Sequence, residues 1–201
     1  MAELQSPHSD ADWRSYYKRT GDRPPRPTLL FALDRFESPG VAVDLGCGGG
    51  RDVVEMLRRG WSVWGIDQAA TAGDEVLARP DLPPTGEFHF IHERFEDASW
   101  PACDLINSSF ALPLCPPEGF ARVWLHIEQR LRRGGRFSGQ LFGTKDSWSG
   151  REGMTFHTRA EVTALFAGWE VELFDEEEDD STTPRGTPKH WHIWHVVARK
   201  P

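Results

Sequence analysis

An apolar segment that runs straight into a cluster of glycines constrains this chain more than any other feature. The segment Val41–Leu45 is followed by Gly46-Cys47-Gly48-Gly49-Gly50, and a helical pattern begins at Arg51. Glycine lacks a Cβ atom, so the backbone can turn tightly here and a ligand can lie against it. The start of the next helix offers unpaired N–H groups. The pattern therefore predicts a strand, a ligand-binding turn and a helix.

Short β-rich segments alternate with helical patterns along the rest of the chain, which is typical of a parallel α/β sheet. Amphipathic helices are predicted over 51–59 and 117–133, and Thr158 with Glu161 forms a capping-box pattern for a further helix. The acidic run 176–180 is interpreted as a solvated loop between two antiparallel strands. Seven strands are predicted, over residues 41–45, 61–66, 87–91, 104–108, 135–142, 169–174 and 191–198.

The first forty residues differ in composition from the rest. Aromatic residues that include Trp13 and Tyr17 precede a proline-rich stretch and then an apolar helical pattern. Aromatic side chains on one face of a short helix could close over a ligand and exclude water. We predict a helical N-terminal lid with a first packing helix over residues 1–39, and one ligand-binding domain over residues 40–201.

The charge and cysteine content of the chain exclude several classes of protein. Its 201 residues carry a formal net charge of −8, which disfavours a nucleic-acid or anionic-membrane partner. The three cysteines form no CxxC pair, so neither a disulfide framework nor a thiolate zinc site is indicated. The sequence contains no secretory leader and no apolar stretch long enough for a membrane span. We therefore expect a cytoplasmic protein that acts on a small molecule.

Two acids at the ends of the first two predicted strands narrow the choice of ligand. A dinucleotide-binding turn would carry a third glycine at position 51, where this chain has arginine. Asp44 at the first strand end would repel a diphosphate and attract an ammonium group. Asp67 at the second strand end can accept hydrogen bonds from ribose hydroxyls. The two acids favour an adenosine-type ligand without phosphates, and a nicotinamide oxidoreductase is a weaker alternative.

Over residues 40–199 the chain resembles the class I S-adenosylmethionine-dependent methyltransferases. Its start and its 189–192 segment look most like the small enzymes near the tellurite-resistance and thiopurine methyltransferases. Five segments are similar to the family's motifs in the right order: the glycine motif 44–50, the ribose-binding acid Asp67, the adenine loop 94–97, the fourth-strand motif 104–110 and the Gly-Gly turn with the fifth strand 131–137.

The resemblance implies a Rossmann-like, doubly wound α/β sheet of seven strands in the order 3-2-1-4-5-7-6, with the last strand antiparallel. It also implies S-adenosylmethionine as cofactor and S-adenosylhomocysteine as product. The cofactor-binding residues implied by the matched motifs are Asp44, Gly46, Cys47, Gly48, Gly50, Asp67, Gln68, Phe95, Glu96, Asn107 and Ser109.

The acceptor side of the site is predicted from topology. Ligands of open α/β sheets lie outside the carboxyl ends of the parallel strands, and an antiparallel last strand begins on that side. His190 and His192 would then approach the site as candidate catalytic bases. A metal site is not expected, because an H-x-H pair alone is weak support for one. Candidate substrate-binding residues are Trp13, Tyr17, Phe110, Trp148 and Lys189.

The sequence thus predicts a methyltransferase that acts on a small-molecule acceptor by in-line methyl transfer. This reaction needs alignment and exclusion of water more than a catalytic triad. The alternative is a catalytically silent module on the same fold that only binds S-adenosylmethionine. The accepting atom stays open between oxygen, nitrogen, sulfur and a chalcogen oxyanion, and the sequence does not indicate an oligomeric state.

Overall fold

A computed structural model describes residues 10–21 and 23–201. A central sheet has the strand order β3-β2-β1-β4-β5-β8-β7, with the short strand β6 paired to β5. Strand β8 is antiparallel to both of its neighbours, and the other pairings are parallel. The strands are β1 Val41–Leu45, β2 Ser62–Asp67, β3 Glu87–His92, β4 Cys103–Ser108, β5 Leu131–Gly143, β6 Phe156–His157, β7 Glu170–Thr182 and β8 Pro188–Arg199.

Helices cover both faces of the sheet. Because side chains alternate along a strand, Leu105 in β4 points into one hydrophobic core and Ile106 into the other. Trp124 packs on Phe137 of β5 at a ring-centroid distance of 5.4 Å on the second face. The predicted doubly wound α/β fold and its strand order are confirmed, with β6 as an additional strand. The helices are α1 Asp10–Thr20, α2 Pro27–Leu33, α3 Arg51–Arg58, α4 Ala72–Leu77, α5 Pro117–Arg130 and α6 Arg159–Leu165.

Helix α5 ends earlier than predicted. The prediction extended it to residue 133, but Leu131 already pairs with Cys103 as the first residue of β5. Lys200 Nζ donates to the Glu128 carbonyl of this helix at 2.5 Å and to the carbonyl of the next residue after the helix, Leu131, at 2.7 Å. A lysine distant in sequence therefore supplies the positive charge that the helix end favours, and Arg132 pairs with Asp104 instead.

The acidic run 176–180 was wrongly assigned to a loop. It lies in β7 and pairs with β8 as far as Thr182 and Pro188. Histidines on β8, Arg159 of α6 and Lys145 of the loop after β5 contact the acids and help to hold them in an extended strand. The pairs are Glu176 with His192 and Arg159, Glu177 with His195, Glu178 with Lys145 and Asp180 with His190.

The capping box at the start of α6 is present as predicted. Thr158 Oγ1 accepts the N–H of Glu161 at 3.3 Å, and the Glu161 carboxylate accepts the N–H of Thr158 at 2.7 Å. We expect Thr158→Ala to lower the free energy of unfolding by about 1 kcal/mol, because the N–H of Glu161 loses its acceptor. Thr163→Ala in the same helix is the control and should cost nothing, since alanine favours a helix interior. Equal losses in urea unfolding of the two variants would contradict a capping role.

Candidate active site

The glycine cluster forms a tight turn at the carboxyl end of β1. Gly46, Gly48 and Gly50 have φ values of 73°, 50° and 77°, a region that favours glycine. A Cβ atom on Gly46 would lie 2.3 Å from the Cβ of Ala111. The N–H groups of Gly46 and Cys47 donate to the Ile66 carbonyl at 2.8 and 3.1 Å. The turn is thus held against β2 and against the segment that follows β4.

Asp44, at the end of β1, is buried together with a second carboxylate. Asn107 Nδ2 donates to Asp44 at 2.8 Å and to Asp52 at 3.3 Å, and Ser109 Oγ donates to Asp52 at 2.5 Å. Burial raises the pKa of Asp44 well above its usual range, and the nearby Asp52 raises it further. Neutral groups donate these hydrogen bonds, and Arg26 and Arg51 attract Asp52 without forming an ion pair with it among the described residues. A cation beside Asp44 would therefore be favourable.

Asp52 is a site residue that the sequence analysis missed. Its signal was its place in the first turn of α3, directly after the glycine turn, where an acid is common for helix capping. The structure adds that its carboxylate turns toward β4 and lines the same cavity as Asp44. Local sequence could not reveal that contact, because Asn107 and Ser109 lie more than fifty residues away.

Asp67 lies at the end of β2, as predicted. Its carboxylate accepts the N–H groups of Gly48 at 2.8 Å and Ala69 at 2.9 Å, and the Tyr17 hydroxyl at 3.3 Å. Burial raises its pKa, and these donors oppose the rise. A carboxylate offers about four acceptor positions, so one remains for a ligand hydroxyl.

Tyr17 places helix α1 over the glycine turn. The Tyr17 ring packs so closely that a Cβ atom on Gly48 would lie 2.8 Å from a ring carbon. A Cβ atom on Gly49 would lie 3.0 Å from the Tyr17 Cβ atom. Tyr17 is buried, and Trp13 stacks on it at a centroid distance of 6.1 Å. The aromatic face of α1 therefore covers the cofactor-type end of the site rather than its acceptor side.

A cavity of about 680 Å³ opens along the carboxyl ends of β1, β2 and β4. Asn107 and Gly50 do not line it: Asn107 lies behind Asp44, and Gly50 faces Val76. Of the predicted acceptor residues, Trp13, Tyr17, Phe110 and Trp148 line it. Nine predicted cofactor residues also line it, namely Asp44, Gly46, Cys47, Gly48, Asp67, Gln68, Phe95, Glu96 and Ser109.

Lys189 does not reach this cavity. Its ammonium group pairs with the Asp146 carboxylate, and both side chains are fully buried. Its Nζ lies 4.3 Å from the ring centroid of Trp148 and 4.2 Å from that of Trp191. Both tryptophans line the cavity, so Lys189 supports the aromatic wall from behind.

His190 and His192 also lie away from the cavity. They share one face of β8, as the strand alternation predicts, but the residues that line the cavity are Trp191 and Ile193 on the opposite face. Sequence alternation assigns residues to two faces without indicating which face meets the site. The prediction chose the wrong face, and Trp191 is the acceptor-side residue that it missed.

The environment of His192 is that of a structural residue. It is buried, accepts the N–H of Lys145 at Nδ1 over 3.1 Å and contacts Glu176 through Nε2 at 3.0 Å. The ligand atoms of Glu176, Glu178 and His192 lie within 4.8 Å of one another, a spacing that could hold a metal ion. Arg159 and Lys145 already pair with the two glutamates, so the group forms an ion-pair network between β7 and β8.

The raised pKa of Asp44 predicts a pH dependence of ligand binding. A cationic ligand group needs the ionised carboxylate, so protons compete with the ligand as the pH falls toward this raised pKa. We expect the affinity for S-adenosylhomocysteine to fall as the pH is lowered from neutrality in calorimetric titrations. Asp44→Asn should flatten this dependence, and an unchanged slope in that variant would contradict the assignment.

Comparisons with known proteins agree with this geometry. Residues 42–135 match a family described as a methyltransferase domain. A 59-residue segment is 42% identical to ribosomal RNA small subunit methyltransferase C of Alcanivorax borkumensis. That segment covers 27% of this chain and 18% of the Alcanivorax protein.

Solved structures have the same fold over nearly the whole chain. TehB from Haemophilus influenzae aligns with a TM-score of 0.76 at 16% identity over 92% of this chain, which spans 66% of TehB. The N-methyltransferase NodS from Bradyrhizobium japonicum, in complex with S-adenosylhomocysteine, aligns with a TM-score of 0.69 at 14% identity over 94% of this chain and 98% of NodS. The 1,6-didemethyltoxoflavin-N1-methyltransferase of Burkholderia thailandensis aligns with a TM-score of 0.60 at 20% identity, over 100% of this chain and 92% of the Burkholderia enzyme.

These identities are low, so the structural matches describe the fold. None of the helices within residues 10–21 and 23–201 has the length and apolarity that a membrane crossing requires. The glycine turn and its two flanking acids lie within the matched family segment. Residues 42–135 thus match the methyltransferase domain family, and the chain has the Rossmann-like fold of the solved methyltransferase structures.

Proposed function

We propose that this protein transfers the methyl group of S-adenosylmethionine to a small-molecule acceptor and releases S-adenosylhomocysteine. The observation that carries the proposal is the glycine turn between two buried acids, Asp44 and Asp67, which open onto one cavity of about 680 Å³. A cavity of this size is in the range of small-molecule sites.

The residues around the turn fit the two ends of the cofactor. Asp44 and Asp52 form a buried pair of acids, and among the described residues no cation forms an ion pair with Asp44, which suits the ammonium group of the methionine tail. The free acceptor position on Asp67 suits a ribose hydroxyl. Phe95 lines the cavity from the loop after β3, where an adenine ring would contact it.

Methyl transfer from a sulfonium requires the protein mainly to align the methyl group with the acceptor atom. Bound S-adenosylmethionine supplies a methyl group on a sulfonium, whose sulfur keeps the bonding electron pair when the methyl carbon passes to the acceptor's lone pair. The aromatic residues of α1 would cover the site and exclude water. On the acceptor side, Glu177 lines the cavity and contacts His195 at 2.9 Å. Glu177 is the group placed to accept a proton when the acceptor must lose one.

A small-molecule acceptor fits the charge of the chain better than RNA. The similarity to the ribosomal RNA methyltransferase is confined to 59 residues. The net charge of −8 opposes binding to a phosphate backbone, and six consecutive acids occupy positions 175–180 of the edge strand β7. A cavity with aromatic walls instead suits a compact ligand.

Binding and turnover test the proposal separately. We expect S-adenosylhomocysteine, and not NAD(H), to raise the unfolding temperature. Labelled S-adenosylmethionine incubated with phenols, thiols, amines and oxyanions should then transfer its methyl group to at least one class. Protection by NAD(H) alone would overturn the cofactor assignment. Tight cofactor binding without transfer to any class would favour a silent binding module.

A further inference from the structure

The acceptor side of the cavity contains arginines that have no carboxylate partner. Among the described residues, no acid forms an ion pair with Arg26 or Arg151, although both line the cavity. The chain carries more acids than bases, so unpaired arginines in one place need an explanation. Many other arginines are paired, as in Arg58–Asp81, Arg59–Asp34, Arg79–Asp81, Arg94–Glu96, Arg132–Asp104, Arg136–Glu172, Arg159–Glu176 and Arg199–Glu170. Arg51 and Arg185, which also line the cavity without an ion pair among the described residues, donate to the backbone carbonyls of Pro24 and Asp12.

Arg26 is the less satisfied of the two. Its Nε atom is buried and has no hydrogen-bond partner. Burial and the neighbouring Arg51 lower its pKa to about 10, so the guanidinium remains charged at neutral pH. Asp52 attracts it, but the Asp52 oxygens already accept the Arg26 backbone N–H at 3.0 Å and the Ser109 hydroxyl at 2.5 Å. A buried cation with a free N–H group is costly unless a ligand anion completes it.

Both arginines lie on the aromatic wall of the cavity. The Arg26 guanidinium is 4.3 Å from the ring centroid of Phe110, and that of Arg151 is 4.6 Å from the ring centroid of Trp148. Trp191 connects the two rings, at centroid distances of 6.2 Å from Phe110 and 6.0 Å from Trp148. The order Arg26, Phe110, Trp191, Trp148, Arg151 therefore places a cation at each end of a row of three rings.

This arrangement disfavours a cationic acceptor. Aromatic walls often bind ammonium groups through the faces of their rings. Here the faces of Phe110 and Trp148 already contact arginines, and Lys189 Nζ lies 4.2 Å from the ring centroid of Trp191. A further positive charge would meet these three cations. An apolar ring with a negative group would contact the free parts of the wall and neutralise the arginines.

Phe110 adds an independent sign of a constrained site. Its φ of 59° is positive, and among the described residues it is the only non-glycine residue in this region. Such a conformation costs a bulky residue on the order of 1–3 kcal/mol and concentrates at ligand sites. In this conformation the Phe110 ring contacts Phe142 and Trp191. The Arg26 guanidinium lies over the same ring.

We propose that the methyl acceptor is an aromatic organic anion, and that Arg26 and Arg151 bind its anionic group. This inference rests on the proposed function, since it names the substrate class of the same site. It assigns the acids Asp44, Asp52 and Asp67 to the cationic cofactor, and the unpaired arginines to an acceptor of opposite charge.

The test uses ligands that share a ring and differ in charge. Protein saturated with S-adenosylhomocysteine is titrated with benzoate, 4-hydroxybenzoate, phenol and benzylamine in a calorimeter. Labelled S-adenosylmethionine is then tested with hydroxy-, amino- and mercaptobenzoates, with their neutral parents and with tellurite. We expect at least one aromatic carboxylate to bind about 10-fold or more tightly than its neutral parent, and to be methylated.

Two variants and one control assign the effect to the arginines. Arg26→Gln and Arg151→Gln should each weaken carboxylate binding by about 10-fold and leave binding of S-adenosylhomocysteine unchanged. The control is Arg133→Gln, an exposed arginine on β5 that does not line the cavity. The unfolding temperature of each variant establishes that it folds, and Arg151, in an exposed loop, tests the proposal independently of Arg26.

Several results would overturn the inference. Equal binding of neutral and anionic rings, preference for benzylamine, or methylation of tellurite alone would each do so. Loss of S-adenosylhomocysteine affinity in Arg26→Gln, with normal affinity for methylthioadenosine, would assign Arg26 to the cofactor carboxylate instead. Failure of the wild-type protein to bind S-adenosylhomocysteine would overturn the proposed function as well, whereas the other results leave that function intact.

Discussion

Gly46→Ala is expected to abolish binding of S-adenosylhomocysteine and to destabilise the protein. The φ of 73° costs an alanine about 1–2 kcal/mol. The new methyl group would also lie 2.3 Å from the Cβ of Ala111, far inside van der Waals contact. Ala111 would have to move, and with it the neighbouring Phe110, so both the turn and the acceptor wall would be displaced. Calorimetric titration and urea unfolding measure the two effects.

A matched glycine separates backbone strain from the clash. Gly168 has a φ of 84°, and a Cβ atom there would meet nothing within 4 Å. Gly168→Ala should therefore lower stability by about 1 kcal/mol and leave cofactor binding unchanged. Adding Ala111→Gly to Gly46→Ala removes the facing methyl group, and we expect it to restore part of the lost affinity. If the double variant binds no better than Gly46→Ala, the clash is not the cause.

The cofactor end of the site could be predicted from sequence because its information is local. The strand, the glycine turn and Asp44 lie within ten residues, and Asp67 stands at the next strand end. Each of these features follows from the conformation of its own segment. The order of the strands came from resemblance to a family rather than from these patterns, and the pairing of β8 with β5 and β7 confirms it.

The acceptor side could not be predicted because its information is tertiary. Alternation along β8 correctly separates His192 from Trp191, but the side on which the cavity opens is decided by α1 and by the loop after β5. The same loop carries Asp146, which holds Lys189 away from the cavity. The prediction for the acidic run in β7 failed for a similar reason. The strand that pairs with this run is distant in sequence, and the composition of the run itself gives no sign of that pairing.

Two acid variants, measured with two ligands, should separate the two ends of the cofactor. S-Adenosylhomocysteine carries an amino-acid tail, and methylthioadenosine lacks it. We expect Asp44→Asn to weaken binding of the first by about 10-fold to 100-fold and to leave binding of the second unchanged. Asp67→Ala should weaken binding of both by about 1–3 kcal/mol, because the ribose is common to them. Glu37→Gln, on the exposed surface and away from the cavity, serves as the control.

The stability of Asp44→Asn gives an independent check on the role of Asp44. We expect stability to rise in this variant, whereas affinity for S-adenosylhomocysteine falls. Burial and Asp52 raise the pKa of Asp44, so its ionised form destabilises the free protein near neutral pH. Asparagine keeps an oxygen to accept the hydrogen bond from Asn107 and removes the charge. Asp44→Asn should therefore unfold at a higher temperature than the wild type while it binds S-adenosylhomocysteine more weakly. A variant that loses stability, and loses affinity for both ligands equally, would mean that Asp44 serves the fold and not the ligand.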